Sequence, residues 1–274
     1  LHLRRMGLLN VDVPTVTGEP LSAVLDWWES SDRRRAARER LRTADDVDPD
    51  RVIMSPDAAR REGLTSTVVF PVGNVAPEGS VVKATAIDPS VVGEDGVFRH
   101  RGPARVFTSE HDAIAAIKGL TSARVAPGDI LVVVGVGPLG TGMEETYQLT
   151  SALKYLPWGK QVAIVTDARF SGVSTGACIG HVGPEALAGG PIGRLVDGDI
   201  LEIVVDRGTL EGRVDLVGVD GHAIDTSEAA RVLASRPPHP GLAPDGKLPA
   251  DTRLWAALQH VVGGTWGGCV YDVD

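Results

Sequence analysis

From Thr67 onward the chain is cut into short β-branched runs, each bounded by Gly, Pro or Asp. They are Thr67 to Val72, Val81 to Ala86, Ala104 to Phe107, Ile130 to Val136, Val162 to Val165, Ile200 to Val205 and Arg213 to Val217. Runs this short are strand-length and leave no room for an amphipathic helix. Three helical segments lie among them. Ser109 and Asp112 cap one that carries Ile114 and Ile117 and stops at Gly119. Gln148 to Leu156 forms a second, and Thr226 to Ser235 a third, closed by Pro237 and Pro238. So many strands against so few helices break regular βαβ alternation and predict a β-rich α/β domain.

The flanks read differently. Residues 15–42 are expected to be helical, with Leu21, Val24, Leu25 and Trp28 on one face. The arginines Arg33, Arg34, Arg35, Arg38 and Arg40 alternate with acids and read as a solvated helix face. Residues 43–51 are acidic and read as a linker, and Pro56 after Ser55 opens a short helix. This divides the chain into a helical segment at 1–64, a β/α domain at 65–236 and a Pro/Gly-rich extension at 237–274, in which Trp255 and Trp266 are expected to pack. The first residue is Leu, and the chain is expected to be part of a longer protein. A net charge of −9 without a basic stripe argues against a nucleic-acid partner. Two cysteines make no disulfide framework, and no apolar run nears the ~20 residues of a membrane span. Together these predict a cytoplasmic protein.

The chemistry gathers after two of the strands. Gly135, Gly137 and Gly140 spell G-x-G-x-x-G after an apolar run, the pattern that brings a dinucleotide pyrophosphate to a helix N-terminus. Pro138 inside the turn and Gly142 after it delay the helix, and Asp167 comes too far downstream, so a nicotinamide-binding domain is the weaker reading. Glu144 and Glu145 follow directly. Paired acids at this point suit either a solvated helix start or a Mg²⁺ site, since that ion takes one or two carboxylates plus substrate oxygens. The stretch TDARFSGVSTGACIGHVGPEALAGGPIG, Thr166 to Gly193, then collects Asp167, Arg169, Ser171, Ser174, Thr175, His181 and Glu185 among glycines after a buried run. By composition it is a Gly-rich surface loop; by content it can be a site. Asp167 is expected to orient Arg169 or brace the turn, and Glu185 to open a helix after Pro184. Further upstream, Gly73 to Ser80 form a tight Asn/Pro/Gly turn.

These motifs, in this order, resemble the dihydroxy-acid and sugar-acid dehydratases. The likeness rests on GNVAPEG, GPARVF, PGD, GMEE, TDARFSG, GHVGPEA and GGPI, and covers about residues 65–218. VGPLGTGMEETYQLTSALKY and the tail LWAALQHVVGGTWGGCVYD extend it over nearly the whole chain, toward the D-xylonate dehydratase branch. The resemblance implies a β-barrel-like swivelling domain flanked by helices, akin to the C-terminal domain of aconitase. It implies a hydro-lyase that converts an aldonate such as D-xylonate to a 2-keto-3-deoxy acid. By motif position Ser171 is the base for the C2 proton and Glu145 the Mg²⁺ ligand, with Glu144 as the alternative. Arg169 positions substrate or stabilises charge, and Ser174 and Thr175 contact substrate; His181 either binds substrate or orders a neighbour.

A neutral serine is a poor base unless cations or aimed donors stabilise its alkoxide. The family also uses an iron–sulfur cluster, [2Fe–2S] or [4Fe–4S], which needs three or four thiolates. Cys178 and Cys269 do not supply them, so the ligands are expected in a missing N-terminal domain, and this chain alone is expected to be inactive. A homo-oligomer is expected from the resemblance. The competing reading, from a different class, is a non-catalytic binding or assembly domain whose Gly-rich loops are purely structural.

Overall fold

The structure, a computed structural model, describes residues 1–62, 67–142, 144–261 and 263–270. The expected boundary at 64/65, Met143 of the GMEE motif and the last four residues of the tail lie outside the described residues. The chain divides into two compact units, Leu1–Thr65 and Ser66–Asp274.

The first unit is helical: α1 (His2–Arg5), α2 (Leu21–Ser30), α3 (Asp32–Thr43), α4 (Pro49–Val52) and α5 (Pro56–Arg61). The single helix expected over 15–42 is two. Ser31 takes an extended conformation and its hydroxyl accepts from the Arg34 N–H, so it ends α2 and caps α3. Before α2, Pro14 and Pro20 bridge across a turn instead of helix. The expected linker contains α4, because Asp48 caps it and Pro49 opens it. The arginine-rich face of α3 is ion-paired in part, with Arg38 2.7 Å from Asp50.

The second unit is mixed α/β, built on a curled nine-stranded sheet in the manner of a half-barrel. Its elements run β1 (Val68–Val69), β2 (Gly79–Lys83), β3 (Val97–Phe107), α6 (Glu110–Ile117), β4 (Ile130–Val133), α7 (Pro138–Thr141), α8 (Gln148–Lys154), β5 (Ala163–Thr166), β6 (Cys178–Gly183), β7 (Ile200–Asp206), β8 (Gly212–Val219), β9 (His222–Ala223), α9 (Thr226–Ser235) and α10 (Ala250–Leu258). The strand order is β1-β2-β6-β5-β4-β3-β7-β8-β9. β3, β4, β5 and β6 are parallel, while β2 and β7 flank them antiparallel. Caps foreseen in the sequence form: Ser109 accepts from the Asp112 N–H at 3.1 Å.

β4 and β5 are buried along their whole length, so their residues serve two cores in alternation. Ile130, Val132, Ala163 and Val165 face one core, with Phe98, Leu201, Ile203 and Val214. Leu131, Val133, Val162 and Ile164 face the other, with Ala113 and Ile117 of α6 and Leu149 and Leu153 of α8. β6 was not foreseen. Its sequence CIGHVG is too rich in glycine to signal a strand, yet it pairs with both β5 and β2.

The turn at Gly73 to Ser80 closes the curl. Val72 donates to the Gly212 carbonyl at 3.1 Å and accepts from the Val214 N–H at 3.1 Å, so the segment after β1 meets β8 near the opposite end of the strand order. Asn74 imitates a strand: its side-chain oxygen accepts from the Leu216 N–H at 2.7 Å and its amide donates to the Leu216 carbonyl at 3.1 Å. Gly73 is required because a Cβ there would lie 2.2 Å from the Val214 carbonyl oxygen. The Asn74→Ala variant deprives two backbone groups of Leu216 of partners and is expected to lose about 2–4 kcal/mol of stability. Urea titration measures this, and an unchanged midpoint would show that the closure contributes nothing.

Candidate active site

The candidate residues lie on the loops that leave β4 and β5 and on β6 itself, at the carboxyl end of the parallel strands. Such ends are the usual place for ligands in α/β sheets, because the loops there diverge and expose main-chain groups. Asp167 fixes the arrangement. It is fully buried, and its carboxylate accepts from the N–H groups of Gly135 (3.0 Å), Val136 (3.1 Å) and Ala186 (3.0 Å). One side chain thus ties the end of β5 to the loop after β4 and to the turn after β6. Burial raises its carboxyl above the ordinary range, and the three donors oppose that shift. Asp167 braces the turns.

Glu185 is a second brace. Both carboxylate oxygens accept from the Leu139 N–H, at 3.1 and 3.0 Å. Burial pushes this carboxyl up to about 8, with the charge of Asp167 adding to the rise. The contact also explains the G-x-G-x-x-G string. Gly137 is needed because a Cβ would sit 2.6 Å from Glu185, and Gly140 because a Cβ would sit 1.9 Å from the Gly135 carbonyl. The N–H that a dinucleotide fold would offer to a pyrophosphate is taken by the protein's own carboxylate. Glu185 itself precedes a 3-10 turn, Ala186–Ala188.

Arg169 and Glu145 come together. Their backbones form an isolated parallel bridge, the Thr146 N–H donates to the Arg169 carbonyl at 2.9 Å, and the guanidinium meets the Glu145 carboxylate at 3.0 Å. Both side chains remain partly open to solvent, at 45% and 28% exposure. Glu144 is exposed, its N–H bound by the Thr141 hydroxyl at 2.9 Å. Glu110 adds a third acid to the neighbourhood. It caps α8 by accepting from the Leu149 N–H at 2.8 Å, and burial raises its carboxyl, with Glu144 and Glu145 adding to the rise.

Ser171 follows Arg169 by two residues and is half-buried; its Oγ accepts from the Val173 N–H at 3.2 Å. The Lys83 ammonium at the end of β2 donates to the carbonyl of Gly172, next to Ser171. Sequence reasoning passed over Lys83 as a site residue. The available signal was a lone cation inside the run from Val81 to Ala86. Ser174 is buried, with no hydrogen-bond partner for its hydroxyl among the described residues. Thr175 lines a cavity of about 440 Å³ with Asp88, Lys154 and Lys160, a lining that includes none of the other candidates. His181 has a φ of +55°, donates its N–H to the Ala168 carbonyl at 2.8 Å and sets its ring edge-on to Phe170 at 6.0 Å. Burial lowers its imidazole pKa, and the Arg169 charge lowers it further.

The donor set decides which cofactors fit. Cys178 is buried, its thiol pushed up to about 12, and Cys269 is half-exposed. These two thiols do not fit an iron–sulfur cluster. Among the described residues no three His, Cys, Asp or Glu side chains converge as a metal cage. Glu145 fits as a single carboxylate ligand for Mg²⁺, an ion that keeps waters and takes substrate oxygens for the rest.

The chain resembles known proteins over its whole length. Residues 52–239 match the sequence model described as dihydroxy-acid/6-phosphogluconate dehydratase C-terminal. The chain is 62% identical over 274 residues to D-xylonate dehydratase YagF of Escherichia coli (strain K12), covering 100% of this chain and 41% of that protein. It is 58% identical over 276 residues to D-xylonate dehydratase YjhG of the same organism, covering 42% of it. A dihydroxy-acid dehydratase of Lachnospira eligens is 42% identical over 214 residues, 78% of this chain and 33% of that protein. The chain therefore spans about two fifths of the length of its D-xylonate dehydratase relatives.

Glu185 generates a pH prediction. Folded Glu185 holds its proton up to about 8, whereas an unfolded glutamate releases it near 4.5. Folding takes up a proton between those values, so stability falls as pH rises through that window. Glu185→Gln keeps an acceptor for Leu139 and is expected to flatten the fall in unfolding free energy between pH 5 and pH 8 (about the span of the two values). Denaturant midpoints measured across that range test it, and an unchanged slope would mean that Glu185 is ionised in the fold.

Proposed function

From the premise that the chain belongs to the dihydroxy-acid/6-phosphogluconate dehydratase family, whose C-terminal model it matches, we propose that it is the C-terminal part of a sugar-acid dehydratase. In this reading the whole protein is a hydro-lyase that removes water from an aldonate such as D-xylonate and leaves a 2-keto-3-deoxy acid. The observation that carries it is the Arg169–Glu145 pair, formed across two loops at the carboxyl end of the parallel strands with Ser171 two residues on. The D-xylonate dehydratase relatives, similar over the full length of this chain, support the substrate class.

The chemistry follows from these residues. The Ser171 Oγ takes the proton from C2 of the aldonate. The C2–H electron pair becomes the C2=C3 bond, the C3–O bond breaks, and the hydroxyl leaves with a proton as water. The resulting enol takes a proton at C3 and releases the proton of its C2 hydroxyl, becoming the keto acid. What supports Ser171 as a base is the Val173 N–H aimed at its oxygen, the Arg169 cation two residues before it and the Lys83 ammonium on the neighbouring Gly172 carbonyl. Glu145, with Glu144 as the alternative, would hold Mg²⁺, which supplies positive charge for the substrate carboxylate. His181 and the unpartnered Ser174 hydroxyl would contact substrate hydroxyls; Thr175 keeps that role by motif position alone.

The iron–sulfur cluster belongs to the absent N-terminal part, and no step is drawn through it. The β/α unit is read as a swivelling domain of the aconitase kind that closes over that part, between a leading helical segment at 1–64 and the extension from 237. The whole protein is read as a cytoplasmic homo-oligomer. Among the described residues no helix is long and apolar enough to cross a membrane.

Full-length protein given D-xylonate is expected to release a keto acid, and this chain alone is expected to release none. Ser171→Ala is expected to lower kcat by about a thousandfold and to stop exchange of the C2 proton with deuterated solvent. Turnover retained by Ser171→Ala would remove the serine from the mechanism, and a full-length protein inert toward every aldonate would overturn the reading.

A further inference from the structure

The C-terminal segment reaches back onto the site loop through the side chain of Trp266. After α10 the chain forms a glycine-rich loop closed on itself: the Gly263 N–H donates to the Val270 carbonyl at 3.2 Å, and the Cys269 N–H to the Gly264 carbonyl at 2.9 Å. Gly264 and Gly268 sit at φ of +71° and +85°, which a closed loop of this kind needs. The loop carries Trp266. Its indole N–H donates to the His181 carbonyl at 2.9 Å. The ring lies over Gly79 and Gly183, which are register partners across β2 and β6. A Cβ at either position would come within 2.8 Å or 2.3 Å of ring atoms. Opposed glycines leave a notch in a sheet, and an aromatic ring laid over them fills it. Phe70 meets the ring edge-on at 6.3 Å. A ring seated in a notch with its N–H on a defined carbonyl is fixed in place and in direction.

His181 is the residue that needs fixing. A non-glycine at positive φ persists only where its surroundings over-determine it. Ala168, which precedes Arg169, takes its N–H; Phe170, which follows Arg169, takes the edge of its ring; Trp266 takes its carbonyl. The first two partners belong to the candidate site loop. The third comes from the far end of the chain.

We propose that Trp266 is a positioning residue for the site: its bond to the His181 carbonyl holds His181 and the Ala168–Phe170 segment in the arrangement that receives substrate. This rests on the dehydratase reading, with His181 as the substrate contact. The glycine-rich C-terminal loop is then a working part of the site, and Gly79 and Gly183 are there to seat its tryptophan.

The test uses the full-length protein. Trp266→Phe keeps a ring for the notch and removes the N–H. It is expected to raise KM for the aldonate about fivefold to tenfold, the worth of one hydrogen bond, while kcat stays within about threefold. Gly183→Ala, which pushes the ring out of its notch, is expected to raise KM likewise. Combining Trp266→Phe with His181→Ala should raise KM by less than the product of the two single effects, because part of the Trp266 effect passes through the His181 side chain. Hydrogen–deuterium exchange across residues 167–183 should quicken by roughly tenfold in Trp266→Phe while β7 and β8 stay as in the parent.

A fall in kcat at constant KM marks lost folded enzyme and overturns the proposal, as does unchanged KM with unchanged exchange. If the parent turns over no aldonate, the dehydratase reading fails separately. Exchange then decides for Trp266, quickened upholding it and unchanged overturning it.

Discussion

A buried carboxylate with three main-chain donors organises this molecule. Asp167 stands where β5 ends, and its bonds to Gly135, Val136 and Ala186 fix the loop after β4 and the turn after β6 in one frame. Hydrogen bonds to a charged acceptor are worth about 1.5–3 kcal/mol each, and a buried anion without them would not persist. The site depends on this frame. The loop after β4 delivers Glu145, the chain beyond Asp167 delivers Arg169 and Ser171, and their salt bridge can form only if the loops leave the sheet in fixed directions. Glu185 repeats the device one layer out by holding the Leu139 N–H.

The two braces also show how glycine is used. Gly137 and Gly140 are small because Glu185 and the Gly135 carbonyl occupy the space a side chain would need. Sequence patterns cannot separate this from a phosphate cradle, since both demand close approach of backbone to an anion. Here the acceptor is internal, the carboxyl group of Glu185. Gly180 and Gly183 serve in the same way as seats for Phe170 and Trp266. That is why β6 was illegible as a strand: its residues are chosen for what lies on top of them, and strand propensity is overridden by packing.

What local chemistry determines was legible. The caps at Ser55 and Ser109 form, and β4 and β5 stand where uninterrupted β-branched runs placed them. The break at Ser31 was visible only as a weak capping residue inside a periodic helix, and periodicity outweighed it. The motif that carries Glu145, Arg169 and Ser171 was legible as a string, and the structure adds that Glu145 and Arg169 meet. Lys83 and Trp266 were not legible as site neighbours. Each reaches the site loop from a distant part of the chain, and nothing in a local window encodes that approach.

The openness of the Arg169–Glu145 pair follows from the same architecture. A carboxylate and a guanidinium that are both partly solvated attract each other weakly, so either can exchange its partner for a ligand at small cost. The braces differ: Asp167 and Glu185 are buried and bound to backbone, which has no alternative partner to offer. Rigidity and solvent access are therefore separated in space, with the buried acids holding the frame and the Arg169–Glu145 pair set at its open side. The division follows from burial: a carboxylate shielded from water keeps its main-chain donors, while a solvated pair competes with water for each partner.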